Sequence, residues 1–316
     1  MSTILVTGAS GFVGSRAVPA LIDAGHRVVA LVRSPNAGEL VAGRLSAAQR
    51  AQLETRVGDV TRPETLPPPL MGVDAVLHLV ALPRDLRDGR DLLLVNTGGT
   101  ANLVAAMTTV GVLRLVHMGA MGVEDDPTLH YASSKAQAER LVRESGLDWT
   151  ILKPSLLFGP GDGFFNIIAD LVRMSPGVVP VPGRGDARFQ PIHVGDVARV
   201  IVATFADLAT IGFSIELGGP RYWTYREITA EVLRAMGRRR LMIPTPVPLI
   251  RLVAGTAERL RIPFPVATDQ LRQLRLDNIG PLDVIAERFG FEPRDMAGAL
   301  SYLRHKARDQ RAGSER

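Results

Sequence analysis

The sequence predicts an α/β fold: a doubly wound parallel sheet with helices on both faces, followed by a smaller mixed C-terminal domain. Three observations carry that expectation. Short apolar runs alternate with helical stretches through the first half of the chain, the pattern of parallel strands joined by crossover helices. The first apolar run leads directly into a loop with three glycines. After Pro154 the alternation gives way to stretches crowded with Pro and Gly, which read as long loops.

The strands are expected at Thr3–Thr7, Arg27–Arg33, Glu54–Val57, Ala75–Val80, Leu113–His117 and Thr150–Leu152. Helices fit between them over Gly11–Ala24, within Ala37–Gln52, over Asp91–Val110 and over Tyr131–Ser145. The stretch Pro63–Pro69, with four prolines, reads as a rigid loop. Later helices are expected at Val194–Ala206, Tyr225–Met236, Pro248–Leu260 and Leu282–Phe289. The domains are then drawn as 1–155 with 190–212, and 156–189 with 213–303, leaving 304–316 as a frayed polar tail.

Composition narrows the function. With 316 residues, 46% hydrophobic and 22% charged, the chain has a real core, which excludes disorder and collagen. The absence of cysteine removes disulfides, thiolate metal sites, iron–sulfur clusters and cysteine nucleophiles, and suits a reducing compartment. The net charge of +5 comes from scattered arginines. The densest knot, Arg238-Arg239-Arg240 beside Gly237, reads as a solvated helix-to-strand connection. No aromatic residues interleave it, so no nucleic-acid partner is expected. The uncharged run Leu92–Leu113 holds Asn96, Thr97, Thr100 and Asn102, too polar for lipid, and reads as a buried helix with a turn at Gly111. With no signal peptide and no transmembrane segment, a soluble cytoplasmic protein is expected.

The strongest local signal is Thr7-Gly8-Ala9-Ser10-Gly11-Phe12-Val13-Gly14, after an apolar strand and opening a helix. Glycines so spaced permit a tight turn, close approach of backbone to a diphosphate and close packing of helix on strand. The helix N-terminus adds free N–H groups for the phosphates. The second strand ends at Arg33, where an acidic residue would hold a ribose 2′-hydroxyl. A guanidinium there favours a 2′-phosphate, hence NADP(H), with NAD(H) as the alternative. Asp59, in Gly58-Asp59-Val60, closes the third strand and either accepts from an adenine amino group or caps the next segment. In Tyr131-Ala132-Ser133-Ser134-Lys135 the phenol and the ammonium are four apart on one helix face. The ammonium is expected to lower the Tyr131 pKa for acid/base work.

Together these motifs resemble the short-chain dehydrogenase/reductase superfamily, in its extended and atypical branch of epimerase/dehydratase type. The resemblance continues through the Asp74–Ala81 strand, Asn96, Phe158-Gly159-Pro160-Gly161-Asp162 and Pro191–Ala198. Glu216–Pro220, Thr224–Glu227, Asp269-Gln270-Leu271 and Leu276-Asp277-Asn278 are similar to the subgroup related to the nucleotide-binding accessory subunit of respiratory complex I. The resemblance implies a Rossmann fold in which Gly8, Ser10, Gly11, Phe12, Val13 and Gly14 hold the diphosphate. It implies Arg33 on the 2′-phosphate, Asp59 and Val60 at the adenine, and Val80 and Ala81 along the ribose. Tyr131 would be the acid/base, Lys135 would tune it and bind the nicotinamide ribose, and Asn96 would support a proton relay. Pro154 and Leu157 would pass near the nicotinamide.

One departure matters. The family's catalytic Ser or Thr lies just past the fifth strand, yet no Ser or Thr occurs between Gly111 and Pro127. Losing such a donor costs on the order of 10²–10³ in rate. Three readings follow: an oxidoreductase or epimerase/dehydratase acting on a small carbonyl or alcohol, a cofactor-binding subunit of a larger assembly, and a regulator sensing nicotinamide redox state. By analogy the chain forms a homodimer through the helix at Tyr131 or docks to a larger complex. The histidines show no metal spacing. His78 and His117 are expected buried and hydrogen-bonded, and Phe164, Phe165, Tyr222 and Trp223 are expected in the core.

Overall fold

The computed structural model describes residues 1–84, 89–175, 177–246, 248–249 and 277–304. Asp269–Leu271, Leu276, the helix expected beyond Leu249 and the tail beyond Arg304 lie outside the described residues. The chain divides into two compact units: Met1–Pro154 with Val194–Glu216, and Ser155–His193 with the residues from Leu217 onward.

The first unit carries a seven-stranded sheet in the order β11-β6-β5-β4-β1-β2-β3. Its strands are β1 (Thr3–Thr7), β2 (Arg27–Val32), β3 (Leu53–Val57), β4 (Ala75–His78), β5 (Arg114–Met118), β6 (Asp148–Pro154) and β11 (Ser214–Leu217). From β1 the chain winds outward through β2 and β3 on one side and through β4, β5 and β6 on the other, all in parallel. The direction of winding reverses between β1 and β4, and in such sheets ligands bind at the carboxyl ends of the strands flanking that reversal.

The helices of this unit are α1 (Gly14–Asp23), α2 (Pro35–Ala42), α3 (Ala47–Arg50), α4 (Pro67–Leu70), α5 (Arg90–Leu92), α6 (Gly99–Val110), α7 (His130–Arg143) and α9 (Val194–Ala206). On one face Leu5, Val29, Val76, Leu115 and Ile151 from five strands meet Leu103 and Met107 of α6 and Val142 of α7. Fully burying one such leucine contributes about 1.5–3 kcal/mol. On the other face α1 packs against α9.

Several elements differ from expectation in detail. The first helix begins at Gly14, because residues 9–13 form the loop itself. The helix expected within 37–52 is two helices, with Ser46 and Gln49 forming a reciprocal cap at the start of α3. The stretch Pro63–Pro69 contains a 3₁₀ turn at Pro63–Thr65 and the turn α4, since proline is well accommodated in a first helical turn. β4 stops at His78, where the Leu79 N–H turns to the Thr7 carbonyl and hydroxyl. The long helix expected from Asp91 is interrupted by a π-helical turn at Leu93–Gly98 before α6, which ends at Gly111 with φ +86°. No helix among the described residues is long and apolar enough to cross a membrane.

In the second unit, β7 (Leu157–Phe158) pairs with β10 (Ile192–His193), β8 (Val178–Pro182) with β13 (Leu241–Thr245), and β9 (Arg188–Phe189) with β12 (Trp223–Thr224). Helices α8 (Phe164–Met174) and α10 (Tyr225–Ala235) close a core of Phe158, Phe165, Trp223, Tyr225, Ile228 and Met296. Asp162 caps α8, its Oδ1 accepting from the Phe165 N–H at 2.8 Å, while its Oδ2 accepts from the Tyr302 hydroxyl. Arg238–Arg240 form the connection between α10 and β13. Tyr222 does not join the core: its ring is exposed and its hydroxyl donates to the Gly280 carbonyl.

Candidate cofactor and active site

The glycine loop leaves the carboxyl end of β1 with Gly8 at φ +69°, a region that L side chains rarely adopt. A Cβ on Gly14 would lie 2.3 Å from the Gly8 carbonyl oxygen and 2.6 Å from that of Ala9, so the first turn of α1 lies directly on the loop backbone. The Gly11 N–H closes the turn onto the Gly8 carbonyl at 3.0 Å. This is backbone drawn tight with no side chain in the way, and it fits a dinucleotide diphosphate. Phe12 and Val13 complete the loop, and the Ser10 carbonyl accepts from Arg44 Nη1 at 2.8 Å.

Arg33 follows β2, whose Leu31 stands opposite Thr7 of β1, and is exposed beside the start of the loop. Asp59 follows β3, its Oδ1 accepting from the Thr61 N–H at 2.9 Å and hydroxyl at 2.8 Å. It therefore forms the local turn. The Val60 side chain faces the core against Gly99, and its carbonyl accepts from Asn102. Val80 is half-buried and Ala81 exposed at the end of the segment that follows β4.

The Tyr131–Lys135 pair stands on α7, one turn apart. Lys135 is 3% exposed and its Nζ donates to the Met118 carbonyl, at the end of β5, at 2.5 Å. Burial brings its pKa down to about 8, against the opposing pull of the Glu139 carboxylate. Tyr131 does not have the lowered pKa expected from the sequence. Burial, and secondly Glu139, push its phenol up to about 12. The cost of placing a phenolate among packed groups outweighs the help of an ammonium on the next turn.

Glu139 was not among the expected site residues, although it lies four beyond Lys135 on the same face of the helix. It is 2% exposed, with Oε2 2.8 Å from Arg143 Nη2 and 3.7 Å from Lys153 Nζ. Its Oε1 accepts from the Ala120 N–H at 3.3 Å and faces Gly119, in the stretch where the family's hydroxyl is missing.

Asn96 is 1% exposed, in the π-helical turn. Its Oδ1 accepts from the Leu82 N–H at 2.8 Å, and its Nδ2 reaches the Leu82 carbonyl at 3.2 Å and Ser134 Oγ at 3.0 Å. The side chain thus ties the loop after β4 to α7, and its polar atoms are spent in doing so.

His78 is hydrogen-bonded at both ring nitrogens, to Thr7 at 2.7 Å and Thr100 at 3.1 Å. His117, its ring centroid 5.3 Å away and its plane tilted by 36°, has no hydrogen-bond partner at either nitrogen, contrary to expectation. Burial, followed by the charge of Lys135, keeps both rings neutral. Pro154 is buried at the end of β6, its carbonyl accepting from Met121. Leu157 belongs to β7 of the second unit, where it pairs with Ile192. In that unit Gln190 is fully buried, bonded to the backbone of Gly219 and Gly280, and Arg188 is paired with Asp277. Among the described residues no cluster of acids or histidines could hold a metal ion.

A parallel sheet with a glycine cradle at its winding reversal defines a dinucleotide-binding protein. A family model for NAD(P)H-binding proteins matches residues 8–207, more than half of the chain, and the chain belongs to that family. It is similar to subunit 9 of the NADH dehydrogenase (ubiquinone) 1 alpha subcomplex, mitochondrial, of Arabidopsis thaliana, 30% identical over 54% of this chain and 43% of that protein. The chain thus spans less than half the length of that relative. It is also similar to a 3 beta-hydroxysteroid dehydrogenase/Delta 5→4-isomerase of Mycobacterium tuberculosis, 28% identical over 93% of this chain and 86% of that one. Among solved structures, a dTDP-glucose 4,6-dehydratase double mutant from Streptomyces venezuelae with NAD bound superposes with a TM-score of 0.74 at 23% identity, covering 98% of this chain and 97% of that one. The extended and atypical short-chain dehydrogenase/reductase resemblance and the Rossmann fold both hold.

Proposed function

We propose that the protein is an NADP(H)-dependent oxidoreductase or epimerase/dehydratase of a small carbonyl or alcohol substrate. The observation that carries this is the pair on α7: a phenol, and one turn away a buried ammonium tied to the end of β5. A bound nicotinamide supplies a hydride donor or acceptor. Tyr131, protonated at neutral pH, supplies the proton to the carbonyl oxygen as the alcohol forms, and takes it back in the reverse direction. Lys135, anchored through one of its three protons, orients the ribose with the others. Asn96 acts by holding the loop after β4 against α7. Arg33 in place of an acid favours the 2′-phosphate of NADP(H). The relation to a steroid dehydrogenase along nearly the whole chain supports turnover, and the reading sets it in the cytoplasm.

A second reading, a cofactor-holding subunit docked to a larger assembly, is favoured by Gly119 and its neighbour Glu139. The family's hydroxyl is missing there, and a carboxylate fills the space. The relative that is a subunit of NADH dehydrogenase points the same way. Tyr131→Phe separates the readings. Against a panel of carbonyl substrates the enzyme reading expects turnover in the parent, lost in the variant, with NADPH affinity unchanged. An inactive parent that holds NADPH without exchange would establish the subunit reading instead.

A further inference from the structure

Arg238 and Arg239, in the connection between α10 and β13, are exposed, and among the described residues neither guanidinium has a partner. Arg240 donates from Nε to the Ser175 carbonyl at 2.8 Å, which ties that connection to the end of α8. Arg238 and Arg240 thereby line an open cleft of about 400 Å³ together with Val172, Arg173 and Met174. Arg173 is already paired with Asp170 at 2.7 Å, so the unspent cations are those of the connection.

The strands beside this cleft turn hydrocarbon outward. β8 and β13 run parallel, with Leu241 opposite Val178 and Ile243 opposite Pro180. Alternation along the strands sends Val179 and Met242 inward, to a core shared with Val172 and Leu233. On the other face Val178, Leu241 and Ile243, with Met174 at the cleft, are 40–67% exposed. Apolar side chains gathered in this way at one corner mark an interaction surface.

We propose that this corner of the second unit is a docking surface for an anionic lipid bilayer. The occupant follows from charge and shape. The apolar row is aliphatic and lacks the aromatic anchors on which protein interfaces usually depend. Hydrocarbon flanked by guanidiniums suits the headgroup layer, where apolar groups sink towards the acyl chains and the cations stay at the phosphates. Such a surface lies on a bilayer without crossing it. The inference does not rest on the cofactor reading.

The test is cosedimentation of the full-length protein with vesicles of phosphatidylcholine alone, or of equal parts phosphatidylcholine and phosphatidylglycerol. The parent is expected to bind the anionic vesicles only, and less well as salt is raised. Arg238→Gln/Arg239→Gln is expected to lose on the order of tenfold in affinity. Leu241→Ser is expected to lose about threefold and to keep the salt dependence. All three positions are exposed, so the fold is expected to persist. The chain carries a net charge of +5, so Arg27→Gln/Arg62→Gln removes the same charge from exposed sites on the first unit. That control is expected to bind within about twofold of the parent. A parent that ignores both vesicles overturns the proposal. So does an equal loss in the control, which is the behaviour of net charge, or unchanged binding by Leu241→Ser, which leaves the apolar row outside the bilayer. Binding to polyglutamate but not to anionic vesicles would give the surface to an acidic protein and overturn the lipid assignment.

Discussion

A Cβ on Gly119 would sit 2.5 Å from Oε1 of Glu139 and 2.9 Å from Cγ2 of Ile151. The carboxylate end of Glu139 therefore occupies the space that a side chain at position 119 would need. It is held there by Arg143 and the Ala120 N–H. Restoring a hydroxyl at 119 thus means displacing a buried carboxylate that is already paired.

Gly119→Ser is accordingly expected to destabilise the protein by about 1–3 kcal/mol, as overpacking does. Thermal melts of Gly119→Ser and Gly119→Ala would show it, with similar losses because the clash begins at Cβ. A serine variant as stable as the parent would mean that Glu139 moves freely.

Lys135 makes a second prediction through its pKa of about 8. The unfolded chain holds this proton up to the ordinary lysine value, whereas the folded chain releases it earlier. Burial therefore penalises folding fully below pH 8, and the penalty is relieved as the pH rises from 8 towards 10.5. Its full size is roughly 3 kcal/mol. Relative to Lys135→Met, the parent should gain stability between pH 8 and 9.5 in denaturant titrations, and parallel curves would refute the assignment. The variant should also lose cofactor affinity.

Asp162 behaves in the opposite sense. Burial, against the hydrogen bond from Tyr302, raises it to about 6, so the folded state keeps a proton that the unfolded state has lost. The stability it provides is full below about pH 4 and is lost as the pH rises through 6. Asp162→Asn, whose single carbonyl oxygen keeps the cap of α8 while its N–H₂ faces the Tyr302 hydroxyl, should gain on the parent by roughly 3 kcal/mol between pH 4 and 6.5. The comparison is made by chemical denaturation at each pH.

Gly14→Ala tests the cradle. A methyl group 2.3 Å from the Gly8 carbonyl forces α1 away from the loop. A stability loss of about 1–3 kcal/mol is expected, together with loss of NADPH binding by fluorescence titration. Retained binding would show that the diphosphate does not need this close packing.

The residues that carry local geometry were legible in the sequence. Gly8 at positive φ, the α6 stop at Gly111 and the turn-to-turn spacing of Tyr131 and Lys135 each depend on a few neighbouring residues. Glu139 was half legible, since its spacing from Lys135 places it on the same helix face but says nothing about Gly119 or Lys153. The Tyr131 pKa was misjudged because pairwise charge is visible in a motif, while burial is not. His117 failed for a similar reason: its place in an apolar strand announced burial, but only packing determined that both ring nitrogens would lack partners.

Chain order alone was enough for the parallel sheet, the dinucleotide loop and the missing hydroxyl, because strand periodicity, glycine spacing and residue absence are one-dimensional properties. Folding alone decided which groups share a dielectric and a partner. Arg44 came to the Ser10 carbonyl, Asn96 was spent on Leu82 and Ser134, and Glu139 filled the space at Gly119. Desolvation and hydrogen-bond geometry act over a few ångströms of space, whatever the separation along the chain, and that is why these relationships emerge only in the folded molecule.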